Sequence, residues 1–86
     1  MTFKFFSDPG HSWLRVDVAS AQAVGLEPSS FSRFSYQWGH WLYLEEVMDA
    51  STFVKAYMVK HNRPPVIKEH NSDKRSVIRN YPRIAA

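Results

Sequence analysis

Asp8, His11 and Ser12 lie close enough along the chain to suggest an acid–base pair beside a hydroxyl. The order Asp8-Pro9-Gly10-His11 argues for a structural turn instead. Proline presets φ for a turn, and an aspartate at its start accepts backbone N–H bonds. Glu45 and Glu46 are neighbours on a strand-like run, so they point to opposite faces and cannot work as a pair. His11, His40, His61 and His70 show no i, i+4 spacing, and they read as surface groups at turns and helix ends; an adventitious two-histidine metal site is the alternative. With no cysteine, a thiolate zinc site, an iron–sulfur cluster and a disulfide framework are all excluded. The three glycines are far apart and form no phosphate loop, and no serine sits in a nucleophile-elbow pattern. No catalytic, cofactor-binding or metal-ligating residue is therefore expected, and the chain reads as a binding protein rather than an enzyme.

The stretch Arg33–Glu46 carries the strongest binding signal. Gly39-His40 between two alternating runs is the pattern of a two-residue turn with glycine first, type II′. One face of that hairpin then carries Trp38 opposite Trp41, Tyr36 opposite Tyr43 and Phe34 opposite Glu45. The other carries Gln37 opposite Leu42, Ser35 opposite Leu44 and Arg33 opposite Glu46. Two arrangements follow. In one, the aromatic face is the core, packed on the helices, because large aromatics dominate cores. In the other, Leu42 and Leu44 face the helices, and the aromatics form an open face of the kind that marks an interface. Phe34, Tyr36, Trp38, Trp41 and Tyr43 are accordingly the candidate residues for binding a protein partner. Tyr36 and Tyr43 are expected to be at least half buried. The indoles of Trp38 and Trp41 are expected to touch and to form the exposed anchor at the turn.

The net charge of +3 is unevenly placed. Residues 1–59 hold four basic groups against six acids, and residues 60–86 hold seven against two. Lys74, Arg75, Arg79 and Arg83 are the candidates for a polyanion or an acidic partner, and they carry the alternative reading of a nucleic-acid-binding protein. The aromatic and basic signature of an RNA-recognition sheet is missing.

The elements that must position these groups follow from pattern. Thr2–Phe6 reads as a strand and Asp8–His11 as its turn. Ser12–Val18 alternates, with Leu14, Val16 and Val18 on one side and Trp13, Arg15 and Asp17 on the other. Ala19–Val24 suits a short helix ending at Gly25, and Leu26 returns to the core before a loop at 27–30. Asp49 and Ser51 are candidate N-caps for a helix through about Lys60, whose apolar stripe is Phe53, Val54, Tyr57 and Met58. Pro64-Pro65 ends it, and Val66–His70 reads as an edge strand. Residues 71–86 read as a short strand, a turn of helix or a loosely packed basic tail tied down by Val77, Ile78, Tyr81 and Ile84. The order β-β-α-β-β-α-β predicts a single α+β domain over residues 1–86. Its mainly antiparallel sheet has about five strands, with the helices on one face. No run approaches a membrane span and no signal pattern opens the chain, so a cytoplasmic protein without a membrane partner is expected. Self-association through the sheet face or the Val66–His70 edge is the third reading, as a homodimer or larger homo-oligomer.

Asp8-Pro9-Gly10-His11-Ser12-Trp13-Leu14-Arg15-Val16 and Phe34-Ser35-Tyr36-Gln37-Trp38-Gly39, followed by Tyr43-Leu44-Glu45-Glu46, resemble small proteins encoded by bacterial phages, prophages and plasmids. The resemblance covers residues 3–58, with a weaker echo at residues 76–81. No activity is attached to that group, so it carries over no catalytic residue. At Val47-Met48-Asp49 the chain departs from the further acid that the group's pattern places after the glutamates. The resemblance implies a mobile-element setting in a bacterial host cell. There, small accessory proteins bind host or element-encoded proteins, inhibitors of defence complexes such as CRISPR–Cas effectors among them.

Overall fold

Alternation along the second strand sets the architecture. Leu14 and Val16 are buried on one side of it, Trp13 on the other, and Arg15 and Asp17 follow Trp13. Both sides of the sheet therefore demand cover. The computed structural model describes residues 1–84 and answers that demand with helices on one face and the C-terminal segment on the other.

The strands are β1 (Thr2–Ser7), β2 (Ser12–Asp17), β3 (Tyr36–Trp38), β4 (Trp41–Glu45) and β5 (Val66–Asn71), with helices α1 (Val18–Ala23) and α2 (Asp49–His61). They form one five-stranded sheet in the order β3-β4-β2-β1-β5. Neighbours are antiparallel except β1 and β5. β4 and β5 run the same way, so a crossover must join them, and α2 is that crossover. The domain is α+β with a mainly antiparallel sheet, as the pattern predicts. No helix among the described residues is long and apolar enough to cross a membrane.

The helix-covered face packs Phe3, Leu14, Val16, Leu42 and Leu44 against Ala21, Ala50 and Phe53. Val54 and Tyr57 join this core, while Met58 stays exposed. This settles the two arrangements of the hairpin: the leucines meet the helices, and the aromatics occupy the opposite face.

Local chemistry shifts three expected boundaries. Val18 opens α1 instead of extending β2, because the Asp17 carboxylate accepts the Ser20 N–H at 3.0 Å and starts the helix there. The helix closes where the N–H groups of Gly25 and Leu26 reach back to the carbonyls of Gln22 and Ala21. Asp49 does not cap α2. Met48 is the N-cap residue, and the Asp49 carboxylate turns inward to Ser32 and Ser35. α2 ends with Asn62 in the left-handed region at φ 56°, its N–H on the Met58 carbonyl, just ahead of the two prolines.

The β3–β4 turn has Gly39 at φ 61° and no second residue at positive φ, as a type II′ turn requires. A Cβ at this position meets no atom within 4 Å, so its cost is backbone strain alone. Gly39→Val is expected to lower stability by about 1–3 kcal/mol. Urea unfolding followed by tryptophan fluorescence checks this, and an unchanged midpoint refutes it.

Candidate functional site

The face opposite the helices is a sheet of aromatics under a strap. Trp13 and Tyr43 are buried there with Ile78, and Phe6, Tyr36, Trp41 and Tyr81 pack around them. The strap is the segment after β5, expected to be loosely packed. It is held at Ser72, at Ser76–Arg79 and again from Tyr81 to Ile84, and Ala85 and Ala86 lie outside the described residues. It leaves β5 with the Ser72 N–H on the Ser7 carbonyl, then makes a short 3-10 turn at Val77–Asn80. Ile78 is 4% exposed beneath that turn, and Ile84 passes the edge of β3 to reach the helix-side core. Residues 82–84 pair with that edge: the Gln37 N–H donates to the Pro82 carbonyl and the Ile84 N–H to the Ser35 carbonyl. Of the four expected anchors, Val77 alone faces solvent.

Asp8 holds the strap down. Its Oδ1 accepts the N–H groups of Gly10 and His11, each at 3.0 Å, and Nη2 of Arg79 at 2.7 Å. Its Oδ2 accepts the Ser76 N–H at 2.9 Å and Nε of Arg79 at 2.8 Å. The Arg79 guanidinium holds the Asp8 carboxyl far below the usual carboxylate range, helped by the three backbone N–H groups and against the opposing effect of burial. The same bond raises Arg79. With both oxygens committed, Asp8 forms no acid–base pair with His11, whose ring lies edge-on to Trp13.

The five aromatic candidates divide by exposure. Trp38 is 56% exposed and Phe34 is 61% exposed, whereas Tyr43 is buried and Tyr36 and Trp41 are half-buried. Burial is the largest cause of the rise in the Tyr43 phenol pKa, and neighbouring Tyr81 adds to it while Arg15 opposes it. Trp38 and Trp41 are opposed in register, as expected, but their indoles have different partners. Trp38 stacks on Tyr81 of the strap, with ring centres 5.2 Å apart and planes 17° apart. Trp41 lies under the Arg15 guanidinium at 3.9 Å and beside His40. Side chains from outside the hairpin take the faces that the pattern assigns to a shared indole contact.

Phe34 does not oppose Glu45, because β3 begins only at Tyr36. The Asp49 carboxylate accepts the N–H and hydroxyl of Ser32 and the hydroxyl of Ser35, and the Ser35 Oγ in turn accepts the Glu45 N–H. That network bends residues 32–35 out of the ladder and turns Phe34 outward. Phe34 and Val47 then rim a cleft of about 230 Å³ whose wall includes Trp13, Tyr36, His11 and Glu46. Val47 is exposed at this cleft and Met48 is exposed next to it in sequence, and pattern does not single them out, since an apolar pair just before a helix looks like core.

The basic candidates do not converge. Arg79 is spent on Asp8. Arg83 lies 4.9 Å from the Tyr36 ring centre and donates to the Arg33 carbonyl, while Lys74 and Arg75 are exposed on the strap. Among the described residues no three His, Asp or Glu side chains gather as a metal would need. No protein-family model, curated protein or solved structure matches the chain.

Acid should release the strap. Asp8 is depressed below its ordinary value of 3.8, so its contribution is full above that pH and is lost as pH falls toward the folded value. Thermal melts should therefore drop between about pH 4 and about pH 2. Asp8→Asn should melt lower at neutral pH and show a flatter acid limb. Equal acid sensitivity in both proteins would remove Asp8 as the cause.

Proposed function

We propose that this chain is a non-catalytic binding protein that docks a protein partner along the hairpin, on exposed Trp38 at its turn and on exposed Phe34 and Val47 at its other end. The observation that carries this reading is the exposure of two large aromatics, each more than half open to solvent, among neighbours that are buried or half-buried. Large apolar side chains that remain exposed are the usual anchors of an interface, and tryptophan is among the most enriched of them. Trp38 is also pre-positioned by its stack on Tyr81, so it loses little freedom on binding. The resemblance to phage, prophage and plasmid proteins supports a host or element-encoded protein as the partner, with inhibition of a host defence complex as one form of that role.

Neither alternative has equal support. The polyanion reading through the C-terminal segment loses Arg79 to Asp8 and has Arg83 partly engaged. Self-association has an open edge at β5, but the middle of that strand carries the charged pair Lys68 and Glu69.

The test uses the tagged full chain to capture a partner from bacterial lysate, followed by purification of that partner and titration. Trp38→Ala should keep the wild-type melting temperature and weaken binding about 30-fold, the equivalent of ~2 kcal/mol at a hot spot. Phe34→Ala should weaken it in the same direction. Undiminished binding by both variants, or unfolding by Trp38→Ala, would place the interface elsewhere.

A further inference from the structure

Strand register brings together three cations that are far apart in sequence. Lys4 opposes Arg15 across β1 and β2, and Lys4 opposes Lys68 across β1 and β5. Opposed residues share a face, and this is the helix-free face, since Phe6 opposes Trp13 two positions along. Neighbouring strands are about 4.8 Å apart, so the row spans roughly 10 Å. Like charges directly opposite one another destabilise a sheet. No ion pair offsets them: among the described residues the one ion pair is Asp8–Arg79.

Lys4 and Lys68 are exposed, beyond the part of the face where Ile78 and Tyr81 cover Trp13 and Tyr43. Arg15 is half-buried, and its guanidinium lies on the Trp41 indole. A cleft of about 150 Å³ opens beside them, lined by Lys4, Arg15, Asp17 and Trp41. Asp17 is the acid of this cleft, and its carboxylate is engaged by the Ser20 N–H at 3.0 Å and the Ser20 hydroxyl at 2.7 Å. Glu69, next to Lys68, points to the other face by alternation.

The geometry points to a single-stranded nucleic-acid site on this half of the sheet, with Lys4, Arg15 and Lys68 on the phosphates and a base stacked at the Arg15–Trp41 pair. A row of cations explains an anion. The Arg15 guanidinium over the Trp41 indole beside it explains a ring, because bases stack on aromatic side chains and on arginine planes. A duplex hides its base faces and offers no use for that stack. This site uses residues separate from Phe34, Trp38 and Val47, and it differs from the C-terminal basic group expected from sequence.

The probe is a fluorescent single-stranded DNA of about 12 nucleotides, within the ~4–16 that a small single-strand-binding domain covers. Anisotropy is read across a sodium chloride series with the full chain, with Lys4→Gln plus Lys68→Gln, and with Lys55→Gln plus Lys60→Gln. The last pair lies exposed on α2 and makes an equal change in net charge. The expected result is salt-sensitive binding, weakened about tenfold at low salt by the row variant. The salt slope of the row variant should be smaller by about 1.4, that is ~0.7 for each phosphate no longer neutralised. The α2 variant should keep both affinity and slope. Absence of binding at about 50 mM salt, or equal losses in the two variants, would overturn the assignment. So would equal affinity for a duplex of the same length, or equal competition by polyglutamate of matched charge, which would indicate an acidic protein segment instead.

Discussion

The aromatic face depends on how the Asp8 carboxylate distributes its two oxygens. Two of its bonds go to amides of its own turn, and three go to Ser76 and Arg79 in the strap. A carboxylate that accepts several N–H groups and a bidentate guanidinium is a strong and directional junction. Gly10 makes the approach possible: a Cβ there would sit 2.7 Å from Nη2 of Arg79. Once Arg79 is fixed, the 3-10 turn sets Ile78 over Trp13 and Tyr43, and the following residues bring Tyr81 against Trp38. Arg83 then reaches Tyr36, and Ile84 reaches the helix-side core. Which aromatics of the sheet face lie under the strap follows from that anchor.

Asp49 does the corresponding work on the other side of the hairpin. Its bonds to Ser32 and Ser35, and the Ser35 bond to the Glu45 N–H, replace ladder bonds that a longer β3 would have made. The polar groups are satisfied either way, but the side chains point differently. With the network in place the strand is three residues long and Phe34 leaves the sheet. The two buried acids are thus position-setting groups, one for the strap and one for the hairpin's outer end.

The strand order along the chain, the II′ turn, the edge position of β5 and the proline stop of α2 were legible because each rests on a local pattern. The face occupied by the helices was not, since Leu42 and Leu44 on one side and Trp41 and Tyr43 on the other are both apolar enough to be core. Alternation reports that two faces differ without saying which is covered. The Asp8–Arg79 bond joins residues 71 apart, and no periodicity encodes it. The Lys4–Arg15–Lys68 row was hidden for the same reason: it exists only once β5 is placed beside β1. Arg15 alone carried a readable hint, since it sits on the aromatic side of an alternating strand.

The sheet's two edges are managed by different means. Residues 82–84 close the β3 edge with backbone bonds, whereas among the described residues β5 pairs with β1 alone and its outer edge is open. Continuing the sheet into a second copy across a two-fold axis normal to it would pair residues of equal parity. The two registers with the greatest overlap then centre on Lys68 against its own copy or on Glu69 against its own copy. Like charges directly opposite each other disfavour both, and a register slipped toward Ile67 keeps fewer pairs. Charged residues at the middle of an exposed strand are a common guard against edge-to-edge pairing. On the helix-free face the same Lys68 extends the cation row, so one side chain both discourages a second copy and adds a positive charge beside Lys4.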